Sequence, residues 1–306
     1  MPSLIQSEQE DIVIILRTLL FVPGNQERRI DKARSMPADA LILDLEDSVP
    51  LAEKNSARVM VSSSIDGLAL SGREVFVRIN ALSTDHAAAD IKAVVIPGLS
   101  GICLPKSESA DDILKADTLI TDAERESKLT AGSIGLLALV ETPKGIINAY
   151  EIAGASPRVL GIAFGPEDYT LEMGIKRTRE GAEIYYPRVV IAVACHAAGI
   201  LAIDGVYADI RDEEGLSQEA RLVRQMGFHG KLLIHPNQVS PVSQVFSPTE
   251  EEIAHAQGVV EAFEAALAKG QASTSFEGKM IDVPVAERSR RLLALAESIA
   301  KRERTD

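Results

Sequence analysis

The chain has 306 residues, of which 46% are hydrophobic and 25% are charged, and this ordinary mixture excludes intrinsic disorder and collagen-like repeats. Its formal net charge of −13 repels phosphate backbones and anionic lipid heads, so we expect neither nucleic acid nor a membrane surface as a partner. The two cysteines, Cys103 and Cys195, are far apart in the sequence, which excludes a disulfide framework and a cysteine-rich zinc site.

The N-terminal segment lacks the pattern of a secretory signal. Its apolar run, residues 12–16, is short and follows the acidic residues Glu8, Glu10 and Asp11. No stretch of the sequence reaches the roughly 18 apolar residues of a membrane span. We therefore expect a cytoplasmic protein.

Eight short apolar runs recur along the chain, and segments long enough for a helix separate them. Buried parallel strands are typically continuous apolar stretches of this kind, so the pattern predicts alternating strands and helices. Eight such units are typical of a TIM-type (β/α)8 barrel, and a doubly wound open sheet is the alternative. The predicted strands are residues 19–22, 41–45, 75–79, 101–104, 136–140, 160–164, 201–203 and 232–234.

The C-terminal segment has a different pattern. Thr249 and Glu252 form a capping-box signature, and an apolar stripe at helical spacing continues from there to Gly270. Residues 271–279 are polar and loop-like, and residues 283–302 again have a helical pattern that an eight-unit barrel does not need. We expect residues 1–270 to form the barrel domain and residues 271–306 a helical arm. The arm either packs on a neighbouring subunit or folds back on its own barrel.

Glu141 and Asp168 each come just after a predicted strand, with one βα unit between them. In a barrel, the carboxyl ends of the strands meet at one mouth, so both side chains are expected there. Two carboxylates with room for water and substrate are a common way to hold Mg²⁺. The alternative for each residue is helix capping or a place on the surface.

Arg78 lies at the end of a predicted strand, where a buried guanidinium needs an anionic partner and is suited to grip a substrate carboxylate. Its alternative role is a structural salt bridge with Asp44, Glu46 or Asp47. These three carboxylates lie within four consecutive positions, and their mutual repulsion indicates a nearby cation. They are expected to be partners of Arg78 or an outer shell to the metal, with helix capping as the alternative.

Arg28 and Lys32 are four residues apart after Pro23-Gly24, so on a helix they share a face that is suited to phosphate groups. A solvated basic face is the alternative. The sequence lacks the GxGxxG, GxxxxGK[ST], GxSxG and HExxH motifs, so nucleotide hydrolysis, serine esterase and zinc protease activities lack their defining residues. A Schiff-base aldolase needs a lysine at a strand end, and Lys106 is the one good candidate.

Taken together, six sequence segments resemble the citrate lyase β-subunit-like branch of the HpcH/HpaI aldolase family. The resemblance extends from about residue 17 to residue 282. The segments are RTLLFVPGN (17–25), LDLEDSV (43–49), FVRIN (76–80), ETPKG (141–145), GPEDY (165–169) and IHPNQ (234–238).

This resemblance implies a TIM barrel that works as a Mg²⁺-dependent carbon–carbon lyase on 3-hydroxy acyl thioesters. It implies that Glu141 and Asp168 are the metal ligands, with Glu141 and Arg78 in the catalytic site and Arg78 anchoring the substrate. Asp282 matches a carboxylate that relatives donate from an adjacent subunit as an acid or base, so a homo-oligomer, a trimer or hexamer, is expected. The positions that match coenzyme A contacts in relatives are Phe21, Arg28, Lys32, Ile234 and His235; at position 28 relatives often carry lysine.

The implied reaction is cleavage of a malyl-CoA or citramalyl-CoA type thioester into a 2-keto acid and acetyl-CoA. One alternative is a citrate lyase β-subunit, which acts on a citryl group held by an acyl carrier protein. Others are a malyl-CoA thioesterase, a class II aldolase, and a non-catalytic CoA-binding subunit.

Overall fold

The computed structural model of the protein describes residues 15–304, which form two compact units. One unit comprises Leu16–Phe246, and the other contains the C-terminal segment from Ser247 onward. The acidic residues and most of the apolar run at the N-terminus lie outside the described residues. The predicted division of the chain after residue 270 stays a prediction.

The first unit is a closed barrel of eight parallel strands in sequential order. Strands β1 and β8 close it, with Leu19 opposite Leu232 and Leu20 opposite Leu233. The predicted TIM-type barrel is therefore confirmed, and closure excludes the open sheet. The strands are β1 (Thr18–Pro23), β2 (Ala40–Asp44), β3 (Glu74–Arg78), β4 (Gly101–Leu104), β5 (Gly135–Val140), β6 (Val159–Phe164), β7 (Leu201–Asp204) and β8 (Gly230–Leu233).

Helices follow the strands, and several of them begin at side chains that satisfy free backbone donors. Thr142 Oγ1 accepts a hydrogen bond from the Gly145 N–H at 3.1 Å, and Pro143 occupies the first turn, where it needs no donor. The helices of this unit are α1 (Glu27–Ala33), α2 (Lys54–Ala69), α3 (Ala87–Val94), α4 (Ala110–Glu126), α5 (Pro143–Ile147), α6 (Ala149–Gly154), α7 (Pro166–Glu172), α8 (Ala182–Ala198), α9 (Glu213–Gln225) and α10 (Val239–Phe246), and short 3₁₀ turns lie at Leu51–Glu53 and Pro236–Gln238.

Alternate strand residues fill two apolar layers. Leu19, Ile42 and Phe76 belong to the layer inside the barrel, whereas their neighbours Leu20 and Leu41 pack in the layer beneath the helices. Because side chains fill the barrel interior, it leaves no open channel along the axis. The polar residues that follow the strands therefore gather at the carboxyl-end mouth.

A buried cluster of charges joins the last two strands to two helices. Lys231 of β8 and Asp204 of β7 are register neighbours, and their side chains form an ion pair. Arg188 of α8 binds both oxygens of Asp204, at 2.7 and 2.9 Å. Glu219 of α9 contacts Lys231 at 2.7 Å and Arg188 at 3.0 Å. Two cationic and two anionic side chains thus neutralise one another in the protein interior.

The second unit contains two helices, α11 (Glu250–Leu267) and α12 (Val283–Glu303), with a hairpin of strands β9 (Thr274–Phe276) and β10 (Lys279–Ile281) between them. The predicted capping box is present, with hydrogen bonds of 2.8 and 3.1 Å between Thr249 and Glu252. The hairpin differs from the predicted loop. Its two-residue turn, Glu277-Gly278, has positive φ at both positions, which suits the twist of paired strands.

No helix among residues 15–304 has the length and apolar character needed to cross a bilayer.

We predict that Lys231→Met lowers the free energy of unfolding by about 3 kcal/mol, because it leaves buried carboxylates short of a cation. The matched control is Lys92→Met, which removes an exposed ion pair with Glu126 and should change stability by less than about 0.5 kcal/mol. Urea denaturation followed by circular dichroism measures both. Equal losses for the two variants would contradict a structural role for the buried cluster.

Candidate active site

A cavity of about 440 Å³ lies at the carboxyl-end mouth of the barrel. Its lining comes from the ends of strands and from the residues just after them, as expected for a TIM barrel. Chain segments distant in sequence thus share one site. The lining includes Phe21, Asp44, Arg78, Glu141, Asp168 and Ile234.

The two carboxylates predicted as metal ligands both face this cavity. Glu141 directly follows β5 and is buried, and Asp168 lies in the first turn of α7, after β6. The backbone N–H of Lys106 donates to Glu141 Oε1 at 2.8 Å. Gly165 packs directly on Glu141, since a β-carbon at position 165 would lie 2.4 Å from the Glu141 β-carbon. The close passage of the chain at Gly165 therefore fixes the position of Glu141.

The environment of Glu141 favours binding of a cation. Burial and the negative charge of Asp168 raise the pKa of Glu141 to about 7, against the opposing effects of Lys106 and Arg78. The cations of the protein thus only partly neutralise the negative charge of ionised Glu141. A divalent cation between the two carboxylates would remove this repulsion.

Arg78 is held by Asp44 in a bidentate ion pair. Arg78 Nε and Nη2 donate to the two carboxylate oxygens of Asp44, both at 2.7 Å, and the guanidinium lies 4.9 Å from the ring centroid of Phe21. Although burial opposes ionisation, the Arg78 pair and backbone N–H donors lower the pKa of Asp44 below its usual value. Among the predicted alternatives, the structure supports Asp44 as the partner that orients Arg78.

Glu46 and Asp47 add negative charge beside Arg78. Arg78 Nη1 lies 3.3 Å from Glu46 Oε2 and 3.4 Å from Asp47 Oδ2. Glu46 Oε2 is buried and, within residues 15–304, has no hydrogen-bond partner. Burial therefore raises the pKa of Glu46 to about 8, although Arg78 opposes this. Together with Asp44, Glu141 and Asp168, these side chains give the mouth more carboxylates than cations.

A second cavity of about 300 Å³ shares Phe21, Arg29 and Ile234 with the first and is also lined by Lys32 and His235. Most of the residues predicted to contact coenzyme A thus lie around one groove. Arg28 is exposed and does not line either cavity, whereas its neighbour Arg29 lines both.

Sequence reasoning missed Arg29. Arg29 and Lys32 are three residues apart, so they share a helical face as well as the predicted pair at spacing four does. The helical spacing to Lys32 therefore did not show which of Arg28 and Arg29 faces the groove.

The described residues contain no group of three or more His, Cys, Asp or Glu side chains that by itself would hold a metal ion. Mg²⁺ is commonly held by one or two carboxylates, with water and substrate oxygens in the other positions. The buried, mutually repelling pair of Glu141 and Asp168 fits that kind of open site and does not fit a closed structural site.

Asp282 lies in the second unit, where it caps α12. Its Oδ1 accepts a hydrogen bond from the Val285 N–H at 3.3 Å. Its predicted role in catalysis stays a prediction.

Comparison with known proteins shows the family. Residues 17–236 match the model of the HpcH/HpaI aldolase/citrate lyase family. The chain is 44% identical to the citrate lyase subunit beta of Leuconostoc mesenteroides subsp. cremoris over 92% of this chain and 93% of that protein. It is 35% identical to the mitochondrial citramalyl-CoA lyase of Rattus norvegicus, over 94% and 87% of the two chains.

The crystal structure of the protein CitE from Mycobacterium tuberculosis, in complex with magnesium, acetoacetate and coenzyme A, superposes with a TM-score of 0.75 at 33% identity, covering 92% of this chain and 98% of that one. The match of family, barrel and nearly full-length relatives leads to one conclusion: the chain is a lyase of the HpcH/HpaI aldolase/citrate lyase family.

Proposed function

We propose that this chain is a Mg²⁺-dependent carbon–carbon lyase that cleaves a 3-hydroxy acyl-CoA thioester of the malyl-CoA or citramalyl-CoA type into a 2-keto acid and acetyl-CoA. The observation that carries this proposal is the barrel mouth itself. There Glu141 and Asp168 face a cavity that also contains Arg78 and adjoins a groove with two basic residues, Arg29 and Lys32.

Glu141 and Asp168 are the residues that would hold the metal. When bound, Mg²⁺ would act as a Lewis acid toward the oxygens of the substrate. The 2.8 Å hydrogen bond from Lys106 N fixes Glu141, and the packing of Gly165 prevents its movement toward β6. The metal ligands would therefore be positioned before the substrate arrives.

Arg78 would bind the carboxylate end of the substrate. Its Nε and Nη2 atoms are already engaged by Asp44, which fixes the plane of the guanidinium. Arg78 lines the cavity, and its Nη1, now near Glu46 and Asp47, would donate to the anionic group of the substrate. Asp44 thus acts as a positioning residue for Arg78.

The groove beside the mouth would hold the coenzyme. Arg29 and Lys32 supply local positive charge that the chain needs, because its net charge of −13 otherwise repels a phosphate-bearing ligand. Phe21 and Ile234 line both cavities, so they lie where the thioester arm would pass from the groove to the mouth. We retain Arg28 and His235 as proposed contacts.

Asp282 would give or take the proton at the acetyl carbon, acting from a neighbouring subunit of a homo-oligomer, a trimer or hexamer. This proposal is supported by the sequence resemblance around Asp282. As an N-cap, Asp282 is held in one place by its hydrogen bond to Val285 N, which suits a positioned acid.

A citrate lyase β-subunit is the second candidate. The observation that favours it is the 44% identity to the Leuconostoc citrate lyase subunit beta. In that case the substrate would be a citryl thioester on an acyl carrier protein, and the products would be oxaloacetate and the acetyl carrier. The same residues would act at the mouth.

We also propose a cytoplasmic location. Cys103 and Cys195 are both free and buried, which suits a reducing compartment.

The reverse reaction tests the proposed function directly. Purified protein is mixed with acetyl-CoA or propionyl-CoA and glyoxylate, pyruvate or oxaloacetate, with Mg²⁺ or with EDTA, and the thioesters are analysed by mass spectrometry. We expect a Mg²⁺-dependent malyl-CoA or citramalyl-CoA product. Release of the free hydroxy acid would indicate a thioesterase, whereas no product with CoA but turnover with a citryl carrier would indicate the β-subunit.

We predict that Glu141→Gln and Asp168→Asn each weaken Mg²⁺ binding more than tenfold and abolish turnover, because each removes one of two charged ligands. Isothermal titration calorimetry measures the affinity. Glu172→Gln, an exposed substitution in the same helix as Asp168, is the control and should bind Mg²⁺ normally. Normal Mg²⁺ affinity in the Glu141 and Asp168 variants would remove them from the metal site.

For Asp282→Asn we predict near-normal binding of acetyl-CoA but loss of proton exchange at its methyl group. Asparagine is as good an N-cap as aspartate, so α12 should remain intact and only the acid–base function is removed. Incorporation of deuterium from D₂O, followed by NMR, measures the exchange. An unchanged exchange rate would show that Asp282 does not carry the proton.

A further inference from the structure

Lys106 contacts both carboxylates of the proposed metal site. Its backbone N–H donates to Glu141 Oε1 at 2.8 Å, and its side-chain Nζ lies 3.5 Å from Asp168 Oδ1. One residue thus binds one ligand through the main chain and the other through the side chain.

The backbone at Lys106 is left-handed, with φ of 51°. This region is unfavourable for any residue with a β-carbon, and glycine adopts it without strain. The main-chain hydrogen bond to Glu141 would be available to glycine as well. The presence of lysine therefore points to a use for its side chain.

The charge balance of the mouth indicates that use. Arg78 directs two of its nitrogens at Asp44, so its charge is largely committed away from the metal ligands. Within residues 15–304, Lys106 is the side-chain cation that the structure places in an ion pair with Asp168. Arg78 also acts electrostatically on Glu141, but the ion pair with Asp168 and the main-chain hydrogen bond to Glu141 both come from Lys106.

We propose that Lys106 is an internal counter-ion that Mg²⁺ displaces. In the free protein its ammonium group partly neutralises Glu141 and Asp168; when the metal binds, the two cations repel each other and the ammonium moves away. The side chain is 44% exposed and ends a flexible four-carbon stem, so it is able to move. This inference rests on the proposed function, because it requires that Glu141 and Asp168 hold the metal.

Displacement gives Lys106 a second role. After the exchange its ammonium group is released from Asp168 at the edge of the cavity and is available to an anionic oxygen of the keto acid. Removing the charge should therefore strengthen binding of the metal and weaken binding of the acid. A merely structural role for Lys106 would weaken both.

The first test uses Lys106→Met, which keeps the backbone and removes the charge. We expect Mg²⁺ to bind about tenfold more tightly by isothermal titration calorimetry, since one nearby positive charge is gone. We expect pyruvate and oxaloacetate to bind the Mg²⁺-loaded variant several-fold more weakly. Mg²⁺ affinity equal to or below that of the wild type, or unchanged binding of both acids, would overturn the proposal.

Two matched variants accompany this test. Lys106→Arg keeps the charge and should bind Mg²⁺ as the wild type does. Lys144→Met removes an exposed lysine that pairs with Glu108 at 3.1 Å, and should change neither affinity. If Lys144→Met tightened Mg²⁺ binding as much as Lys106→Met, a general charge effect would replace the specific one.

The second test needs no variant. Wild-type protein is treated with limiting acetic anhydride, with and without Mg²⁺, and acetylation of each lysine is measured by peptide mass spectrometry. Once released from Asp168, the Lys106 side chain is more accessible to the reagent, so its acetylation should rise several-fold with Mg²⁺ while that of Lys144 stays constant. Unchanged or reduced acetylation of Lys106 would overturn the exchange.

Mg²⁺ binding by the wild-type protein separates failure of the exchange from failure of the proposed function. If the wild-type protein binds no Mg²⁺, the proposed metal-dependent function fails and the exchange fails with it. If the wild type binds Mg²⁺ through Glu141 and Asp168 but Lys106 shows neither effect, only the exchange is overturned.

Discussion

The pairing of β1 with β8 is the constraint on which the rest of the first unit depends. It turns eight separate strand ends into one ring, and it brings Phe21, which belongs to the first strand, beside Ile234, which follows the last. Without this closure the groove and the mouth would not share a wall. The buried ions of Lys231, Asp204, Arg188 and Glu219 lie at the neighbouring β7–β8 seam and tie that seam to its helices. Such a cluster tolerates little displacement, because any shift leaves a charge uncompensated in a dry environment.

The charge balance at the mouth differs from that of the buried cluster. At the β7–β8 seam the charges are balanced by fixed partners, whereas at the mouth the carboxylates outnumber the cations Arg29, Arg78 and Lys106; these carboxylates are Asp44, Glu46, Asp47, Glu141 and Asp168. A folded chain maintains such an imbalance only where packing elsewhere supplies the stability. The excess negative charge therefore favours binding of a cation. Because two nitrogens of Arg78 are paired with Asp44, Arg78 only partly neutralises the other carboxylates of the mouth.

Much of this arrangement could be predicted from the sequence. Buried parallel strands need continuous apolar runs, so all eight strands were visible, and the topology then required that Glu141 and Asp168 share a mouth. Which of Arg28 and Arg29 lines the cavities was not predictable, because it depends on the rotation of a seven-residue helix about its axis. The left-handed backbone of Lys106 and the buried Glu46 Oε2, which has no hydrogen-bond partner within residues 15–304, could not be predicted for a related reason. Both depend on how loops pack in three dimensions, and neither leaves a periodic signal. The β9–β10 hairpin was missed because its three-residue strands are too short for alternation to be recognised.

The contact between Gly165 and Glu141 also limits how this site can diversify. The α-carbon of Gly165 is so close that any larger residue would collide with the Glu141 side chain, its β-carbon and Oε2 included. Position 165 therefore cannot accept a side chain unless Glu141 shifts from its place in the site. Substitutions at other lining residues, such as Val206 and Ile234, can change the shape of the cavity without this collision.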